Sequence, residues 1–259
     1  MSQGLDGKPG CVWITGASSG IGRATALALA RSGRIVAASA RRTDELAALV
    51  REAEPLAGSI YPVPLDVTQP NPVAAAVAHI EADIAPIETA ILSAGAYALD
   101  FAAAIKAADV KALVGLNLFG AVHAMEALIP LMIARGGGRI VAVGSLAAYR
   151  GLPHAAAYGA SKAGLLAFCE ALRPQLMRDG VVLQVANPGF VATPLTDRND
   201  FPMPFLIPAG DAARAILAGL RSKRFEIVFP RRFAWLMKIL RILPYALFFL
   251  ITRRMVRTR

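Results

Sequence analysis

Cys11-Val12-Trp13-Ile14-Thr15-Gly16-Ala17-Ser18-Ser19-Gly20-Ile21-Gly22 opens with an apolar run, passes through a glycine- and serine-rich turn, and enters an alanine-rich, helix-periodic stretch over residues 21–30. Strand, tight turn and helix follow in that order. Glycine tolerates the backbone angles of a sharp turn and lets another molecule approach the main chain. A helix start beyond such a turn presents unpaired N–H groups and the positive end of the helix dipole, which suits an anion. Gly16, Ser18, Ser19, Gly20, Ile21 and Gly22 are therefore candidate contacts for the pyrophosphate of a dinucleotide. A glycine-rich turn with a purely structural purpose would read the same way, so the rest of the chain has to carry the argument.

Strand-like runs recur over residues 11–15, 35–39, 60–63, 89–92, 139–143, 181–186 and 226–229, with helical stretches between them. That alternation indicates an α/β fold with a doubly wound, Rossmann-like parallel sheet. The 259 residues could form two domains by length, yet α/β folds of this size commonly form one. Pro62 and Pro64 flank Val63, and a strand lacking amide donors belongs at a sheet edge. There is no internal repeat and no long linker. The expected division is a dinucleotide-binding and catalytic domain over residues 1–229 and a basic, apolar C-terminal helical extension over residues 230–259.

Tyr158-Gly159-Ala160-Ser161-Lys162 puts a phenol and an ammonium one helical turn apart on one face. A neighbouring cation favours the phenolate and draws a tyrosine down from about 10 toward the working pH, where proton transfer is efficient. Ser145 follows the apolar strand 139–143. A hydroxyl at a strand's carboxyl end sits where open α/β sheets bind ligands.

Thr15-Gly16-x-x-x-Gly20-Ile21-Gly22, Asn117, Ser145 and Tyr158-x-x-x-Lys162, in that order and spacing, resemble the short-chain dehydrogenase/reductase family over residues 8–228. The resemblance implies an oxidoreductase with a catalytic tetrad of Asn117, Ser145, Tyr158 and Lys162. It implies that Tyr158 exchanges a proton with the substrate oxygen while Ser145 hydrogen-bonds that oxygen. Lys162 would hold the nicotinamide ribose and lower the Tyr158 pKa, and Asn117 would support a water-linked proton relay to Lys162. In Asn187-Pro188-Gly189-Phe190-Val191-Ala192-Thr193, the residues Pro188, Val191 and Thr193 become cofactor contacts by the same resemblance, as does the adenine-side pair Asp66-Val67. Asp66 is equally placed to cap the helix that follows. Where the family usually carries Asn-Asn-Ala-Gly, this chain has Leu92-Ser93-Ala94-Gly95. Ala94 and Gly95 keep room for the cofactor, while the missing asparagines require a different hydrogen-bond arrangement in the central sheet.

The second strand ends in Ala38-Ser39-Ala40-Arg41-Arg42. NAD enzymes usually place an acid where Ala40 stands, because a carboxylate accepts hydrogen bonds from the ribose hydroxyls and repels a 2′-phosphate. Arginine pairs with that phosphate through a planar fork. NADP(H) is therefore favoured over NAD(H), against the plainer reading of Arg41 and Arg42 as a solvated basic pair.

Cys11 and Cys169 show no metal-ligand spacing and read as small buried hydrophobes, and His79, His123 and His154 form no metal cluster. No metal site is expected. His154, close to Tyr158, reads as a loop residue. The N-terminal residues 1–8 lack the apolar core of a signal peptide, so a cytoplasmic location is expected.

The formal charge is +10, and it is concentrated. From Arg221 onward there are 11 Lys/Arg and one acid, Glu226, while the 17 basic and 17 acidic residues of the remainder cancel. The same segment carries Phe233, Trp235, Leu236, Leu240, Leu243, Tyr245, Leu247, Phe248, Phe249 and Leu250. Nucleic acid binding would use the arginines but not so many large apolar side chains. An anionic membrane surface uses both. The uncharged run 242–252 is shorter than the ~20 residues needed to span a bilayer, and Pro244 should break any helix there. Interfacial association is therefore expected, on the inner face of a membrane, with packing against another subunit of a homo-oligomer as the competing use. The segment 194–208, the family's lid by resemblance, ends in Phe201-Pro202-Met203-Pro204-Phe205-Leu206-Ile207-Pro208, which suits a hydrophobic substrate. The reading is an NADP(H)-dependent oxidoreductase interconverting a carbonyl and a secondary alcohol on a lipid-like molecule. The alternative is a non-catalytic NADP(H)-binding sensor or scaffold at membranes, which would not need Ser145, Tyr158 and Lys162 together.

Overall fold

Residues 11–15 are buried on both faces and form β1 (Cys11–Thr15), an inner strand of the sheet. Trp13, fully buried, satisfies its indole N–H by donating to the Ser39 hydroxyl at 2.9 Å. The chain continues through α1 (Gly20–Arg31), β2 (Ile35–Ala40), α2 (Thr43–Ala53), β3 (Ser59–Pro64), α3 (Pro70–His79), β4 (Ile87–Leu92), α4 (Ala107–Val114) and α5 (Gly120–Ala134). It then forms β5 (Gly138–Val143), α6 (Ala156–Arg178), β6 (Val181–Pro188), β7 (Val191–Ala192), β8 (Ile207–Pro208), α7 (Ala209–Gly219), β9 (Glu226–Phe229), α8 (Arg231–Ile242) and α9 (Tyr245–Thr252). The structure is a computed structural model describing residues 10–197 and 200–256. The N-terminal stretch 1–8 read for a signal peptide, Arg198 and Asn199 of the lid segment, and the tail residues Arg257 and Arg259 lie outside the described residues.

Seven strands form one parallel sheet in the order β3-β2-β1-β4-β5-β6-β9, the doubly wound arrangement expected from the alternation. Each of the seven runs read from the sequence lies within one of these strands. β3, with its two prolines, is at the edge, where absent amide donors cost nothing. The pair β7–β8 was not expected, because two-residue strands are too short to carry a period. The sheet separates two cores. One is closed by α1, α2 and α7, the other by α3, α5, α6 and α8.

Thr15 lies opposite Ser39 and Leu92, Leu92 opposite Ala142, and Val143 opposite Ala186. The central strands thus finish together, and the strand order reverses between β1 and β4. Ligands of open α/β sheets bind outside such a reversal, at the carboxyl ends.

Residues 107–134, α4 and α5 joined by a π-helical turn, are long and apolar enough to cross a membrane by length and composition. Here they are a wall of the core: Leu113, Ala124, Met125, Leu128 and Met132 are buried. The C-terminal helices meet at Pro244, which ends the first helix as expected. They are tied to the body at a few points. Ala234, Met237, Phe248 and Thr252 are buried. The Arg150 guanidinium lies 4.3 Å from the Tyr245 ring centroid and 4.6 Å from that of Phe248, and donates to the carbonyls of Arg241 and Leu243.

Candidate active site

Gly16 and Gly20 have φ of +70° and +56°, the left-handed region that glycine alone enters without strain. A Cβ on Gly16 would lie 2.8 Å from the Ala94 backbone, so the turn is packed directly against the exit of β4. At Gly22 a Cβ would come within 2.4 Å of the Gly16 carbonyl oxygen, which closes the turn onto α1. Ser19 stands at the N-cap of α1 but its side chain makes no capping bond, and the first turn holds no acid. The free amides and positive dipole end fit a pyrophosphate. Ile21 is partly buried, its side chain packed against the core. Thr193, from the segment after the Pro188-Gly189 turn, brings its methyl within 3.1 Å of where a Gly20 Cβ would be. Val191 is buried in β7, holding that segment over the glycine turn.

On the adenosine side, Arg42 donates to the Ser18 hydroxyl at 3.1 Å and pairs with Glu45 at 3.7 Å. Arg41 is exposed beside the Asp66 carboxyl. Asp66 accepts from the Thr68 amide at 3.0 Å and hydroxyl at 2.8 Å; that amide bond is the main reason its carboxyl lies below the ordinary range, with the Arg41 charge a smaller one. The structure corrects one expectation here: Asp66 does not cap the following helix, which starts only at Pro70 behind Gln69. The carboxylate is used up on a turn of its own. Val67 is buried, and its carbonyl lies 3.0 Å from His123 Nδ1.

The four residues of the tetrad converge beyond β4 and β5. Ser145 is the second residue past β5, and its hydroxyl accepts from the Ala147 amide at 3.1 Å and hydrogen-bonds the Tyr158 phenol. Lys162, one turn along α6, is buried with Nζ donating to the Val143 carbonyl at 2.8 Å and 6.0 Å from the Tyr158 ring centroid. Asn117 sits in the π-helical turn between α4 and α5, a distortion common at functional sites. It donates to the Ala96 carbonyl and the Ser161 hydroxyl, and accepts from the Ala96 amide. Asn117 and Lys162 bond other partners rather than each other. A Cβ on Gly95 would lie 3.1 Å from Asn117 Oδ1 and 3.5 Å from Lys162 Nζ, so the glycine leaves open the space both polar groups face. The missing Asn-Asn pair is replaced in part by Thr15, whose hydroxyl accepts from the Ala94 amide at 3.3 Å.

Burial pushes the Lys162 ammonium down to about 8. Burial also raises the Tyr158 phenol above its ordinary value, against the opposing effect of the Ser145 hydrogen bond. Lys162 was expected to lower it. In the chain alone the lysine points its charge at the Val143 carbonyl, and desolvation of the phenol outweighs the Ser145 hydrogen bond. Tyr158 is consequently protonated at neutral pH.

The short chain dehydrogenase family matches residues 10–201. The chain belongs to the short-chain dehydrogenase/reductase family. It is 38% identical to an uncharacterized oxidoreductase of Myxococcus xanthus, over 93% of this chain and 96% of that one. It is 31% identical to the ketoacyl reductase HetN of Nostoc, over 86% of this chain and 79% of that one. Among solved structures, a short-chain dehydrogenase from Sphingobium yanoikuyae in complex with NADPH superposes with a TM-score of 0.78 at 26% identity, covering 85% of this chain and 88% of that one. One from Burkholderia phymatum in complex with NAD gives 0.81 at 24% identity over 92% and 94%, a likeness of fold. The family member described here is an oxidoreductase that takes a nicotinamide dinucleotide.

Several residues around the site were not singled out from the sequence. The Tyr97 ring meets that of Tyr158 edge to face with centroids 5.0 Å apart, and burial, then Tyr158 and Asp100, push its phenol up to about 12. Asp100 accepts the Ala157 amide at 2.7 Å, capping α6 just before Tyr158, and its carbonyl lies 3.1 Å from His154 Nδ1. Neither lies in a motif, and no local pattern marks them. The N-terminal amides of α6 were the signal that a cap must come from elsewhere.

Proposed function

We propose that this protein is an NADP(H)-dependent reductase acting on the carbonyl of a hydrophobic substrate. The observation that carries the reading is the cluster of Ser145, Tyr158 and Lys162 at the sheet's carboxyl edge, with a phenol held protonated at neutral pH. Tyr158 protonates the substrate oxygen as Ser145 hydrogen-bonds it, and Asn117 and Lys162 replenish the proton across the space above Gly95. The bound nicotinamide supplies the hydride. Gly16, Ser18, Ser19, Gly20, Ile21, Gly22, Ala94, Gly95, Pro188, Val191 and Thr193 surround the cofactor in this reading, with Asp66 and Val67 at the adenine. Preference for NADP(H) is supported by Ala40 in place of an acid, and by Arg42 hydrogen-bonded at the rim of the glycine turn with Arg41 beside it.

A hydrophobic substrate is supported by an aromatic seam at the mouth of the site. Phe190 lies 5.9 Å from Phe201 of the lid segment and 5.5 Å from Phe233 of α8, and Phe205 lies 6.1 Å from Phe233. The ketoacyl reductase among the relatives points the same way. The C-terminal extension, residues 230–259, is assigned to an anionic membrane surface facing the cytoplasm, because it exposes Trp235, Ile242, Tyr245 and Phe249 among basic residues. Exposed Phe119 and Leu131 on the outer side of the body suit a homo-oligomer. Turnover of long-chain ketones and alcohols with NADPH, NADH and their oxidised forms tests the whole: reduction of apolar ketones with NADPH is expected, and turnover with NADH alone would overturn the cofactor assignment.

A further inference from the structure

Glu226 is the lone acid of the basic C-terminal segment, and the catalytic scheme leaves it without a task. It is also the point on which the serine-bearing turn is hung. The backbone ladder between β5 and β6 ends where the Gly144 amide donates to the Ala186 carbonyl at 2.8 Å. The next amide, that of Ser145, is buried and donates instead to Asn187 Oδ1 at 3.1 Å. A Cβ on Gly144 would lie 2.3 Å from that oxygen, so only glycine lets the carboxamide reach the strand end. Asn187 is fully buried and uses its other end to donate to Glu226 Oε1 at 2.9 Å. Its orientation is thereby determined: a flipped amide would set its oxygen against a carboxylate and its NH2 against an N–H.

Glu226 holds the other end of the same turn directly. Tyr149, which follows the single 3-10 turn Leu146–Ala148 behind Ser145, donates its hydroxyl to Glu226 Oε1. Lys238 of α8 completes the carboxylate, donating to Oε2 at 2.7 Å. Burial works to raise the Glu226 carboxyl, but the bonds from Lys238, Tyr149 and Asn187 outweigh it and hold it below its ordinary value. Arg241 of α8 and Glu170 of α6 line the same cavity of ≈ 390 Å³, so solvent reaches the carboxylate from that side.

We propose that Asn187 and Glu226 are positioning residues that set the orientation of Ser145 at both ends of its turn, and that Lys238 makes the C-terminal helix part of that arrangement. The proposal rests on the reading that Ser145 hydrogen-bonds the substrate oxygen. Removing the clamp leaves the fold and the glycine turn intact and lets the Ser145 hydroxyl drift. A displacement of about an ångström costs on the order of 10²-fold in turnover.

The test is steady-state reduction of 2-decanone with NADPH by the full-length chain, together with the Ser145 amide resonance in 15N-serine-labelled protein. Glu226→Ala should lower kcat by about 10²-fold, with NADPH affinity within about twofold of the parent; Glu226→Gln, which keeps an acceptor, should lose less, and Lys238→Met least. In Asn187→Asp the new carboxyl mimics the carboxamide when protonated and repels Glu226 when ionised. Its kcat relative to the parent should therefore climb as pH falls, and the Ser145 amide shift should titrate with it. In a Ser145→Ala background, Glu226→Ala should cost almost nothing further, because the clamp acts through that hydroxyl. Full turnover by Ser145→Ala alone would sink the underlying reading rather than the clamp. If Ser145→Ala is crippled but Glu226→Ala and Asn187→Asp lower only the melting temperature, or their losses add to that of Ser145→Ala, the clamp is refuted. An unmoved Ser145 amide in Glu226→Gln and Asn187→Asp refutes it without any turnover measurement.

Discussion

In β1 every residue from Cys11 to Thr15 is buried, and the one polar edge among the apolar side chains, the Trp13 indole, finds the Ser39 hydroxyl. In α8 and α9, segments of comparable apolar content leave Trp235 70% exposed, Ile242 79% and Tyr245 67%. The charges divide along nearly the same line: the residues before Arg221 cancel, and those from Arg221 onward carry the whole +10. The body has finished its own burial, whereas the tail has buried enough to hold its place and still offers apolar surface that large monomers rarely expose. The lesson is that the helices are not simply an additional core layer. Ala234, Met237, Lys238, Phe248 and Thr252 hold the helices to the body, while Trp235 and Ile242 stay exposed to a second medium.

The contrast can be broken or sharpened by substitution. The largest effect is expected inside the body, at Lys162. Burial pushes this group down to about 8 from an ordinary 10.5, so the folded state disfavours its charge. That cost is fully present below pH 8 and shrinks as pH rises toward 10.5, where the unfolded chain still holds the proton and the folded one has released it. Lys162→Met should lower turnover by about 10³-fold. At pH 7 it should also stabilise the chain by about 1–3 kcal/mol, an advantage that narrows toward pH 10 in denaturant titrations. Next comes the tail: truncation before Arg231 should abolish co-sedimentation with anionic liposomes, and salt should weaken the intact chain only in part, since it screens the basic residues but not inserted apolar ones. A truncation that changes oligomeric state and leaves sedimentation alone would make the tail a subunit interface.

Smaller again is the cofactor effect. Arg41→Ala with Arg42→Ala should weaken NADPH by about 10–10²-fold in fluorescence titrations and leave NADH nearly unchanged. The two tryptophans give the finest comparison: Trp13→Ala should cost about 3–5 kcal/mol of stability, while Trp235→Ala should stay within about 0.5 kcal/mol and weaken liposome binding a few-fold.

What the sequence made legible follows from how local each feature is. The glycine turn, the seven strand runs and Tyr158 with Lys162 are written in contiguous residues with a period or a spacing, and all lie where their patterns put them. Pro62 and Pro64 announced an edge strand for the same reason. Asp66 misled because a carboxylate ahead of a helix can satisfy either the helix or its own turn, and only the distance to Pro70 decides. The direction of the Tyr158 shift was hidden because desolvation depends on what covers α6, including Tyr97 from a segment with no motif. The clamp on Ser145 was hidden more deeply: Asn187 and Glu226 are 39 residues apart and meet only because β6 and β9 are neighbours in the sheet.

The central claim is that the buried phenol at the sheet's carboxyl edge delivers the proton in carbonyl reduction. Tyr158→Phe deletes one oxygen and little else, so NADPH affinity by fluorescence titration and kcat for ketone reduction should be measured on the same preparation. Cofactor affinity within about twofold of the parent, with turnover down by about 10³-fold or more, is the expected result. Substantial ketone reduction by Tyr158→Phe, with NADPH bound as tightly as before, would contradict the account.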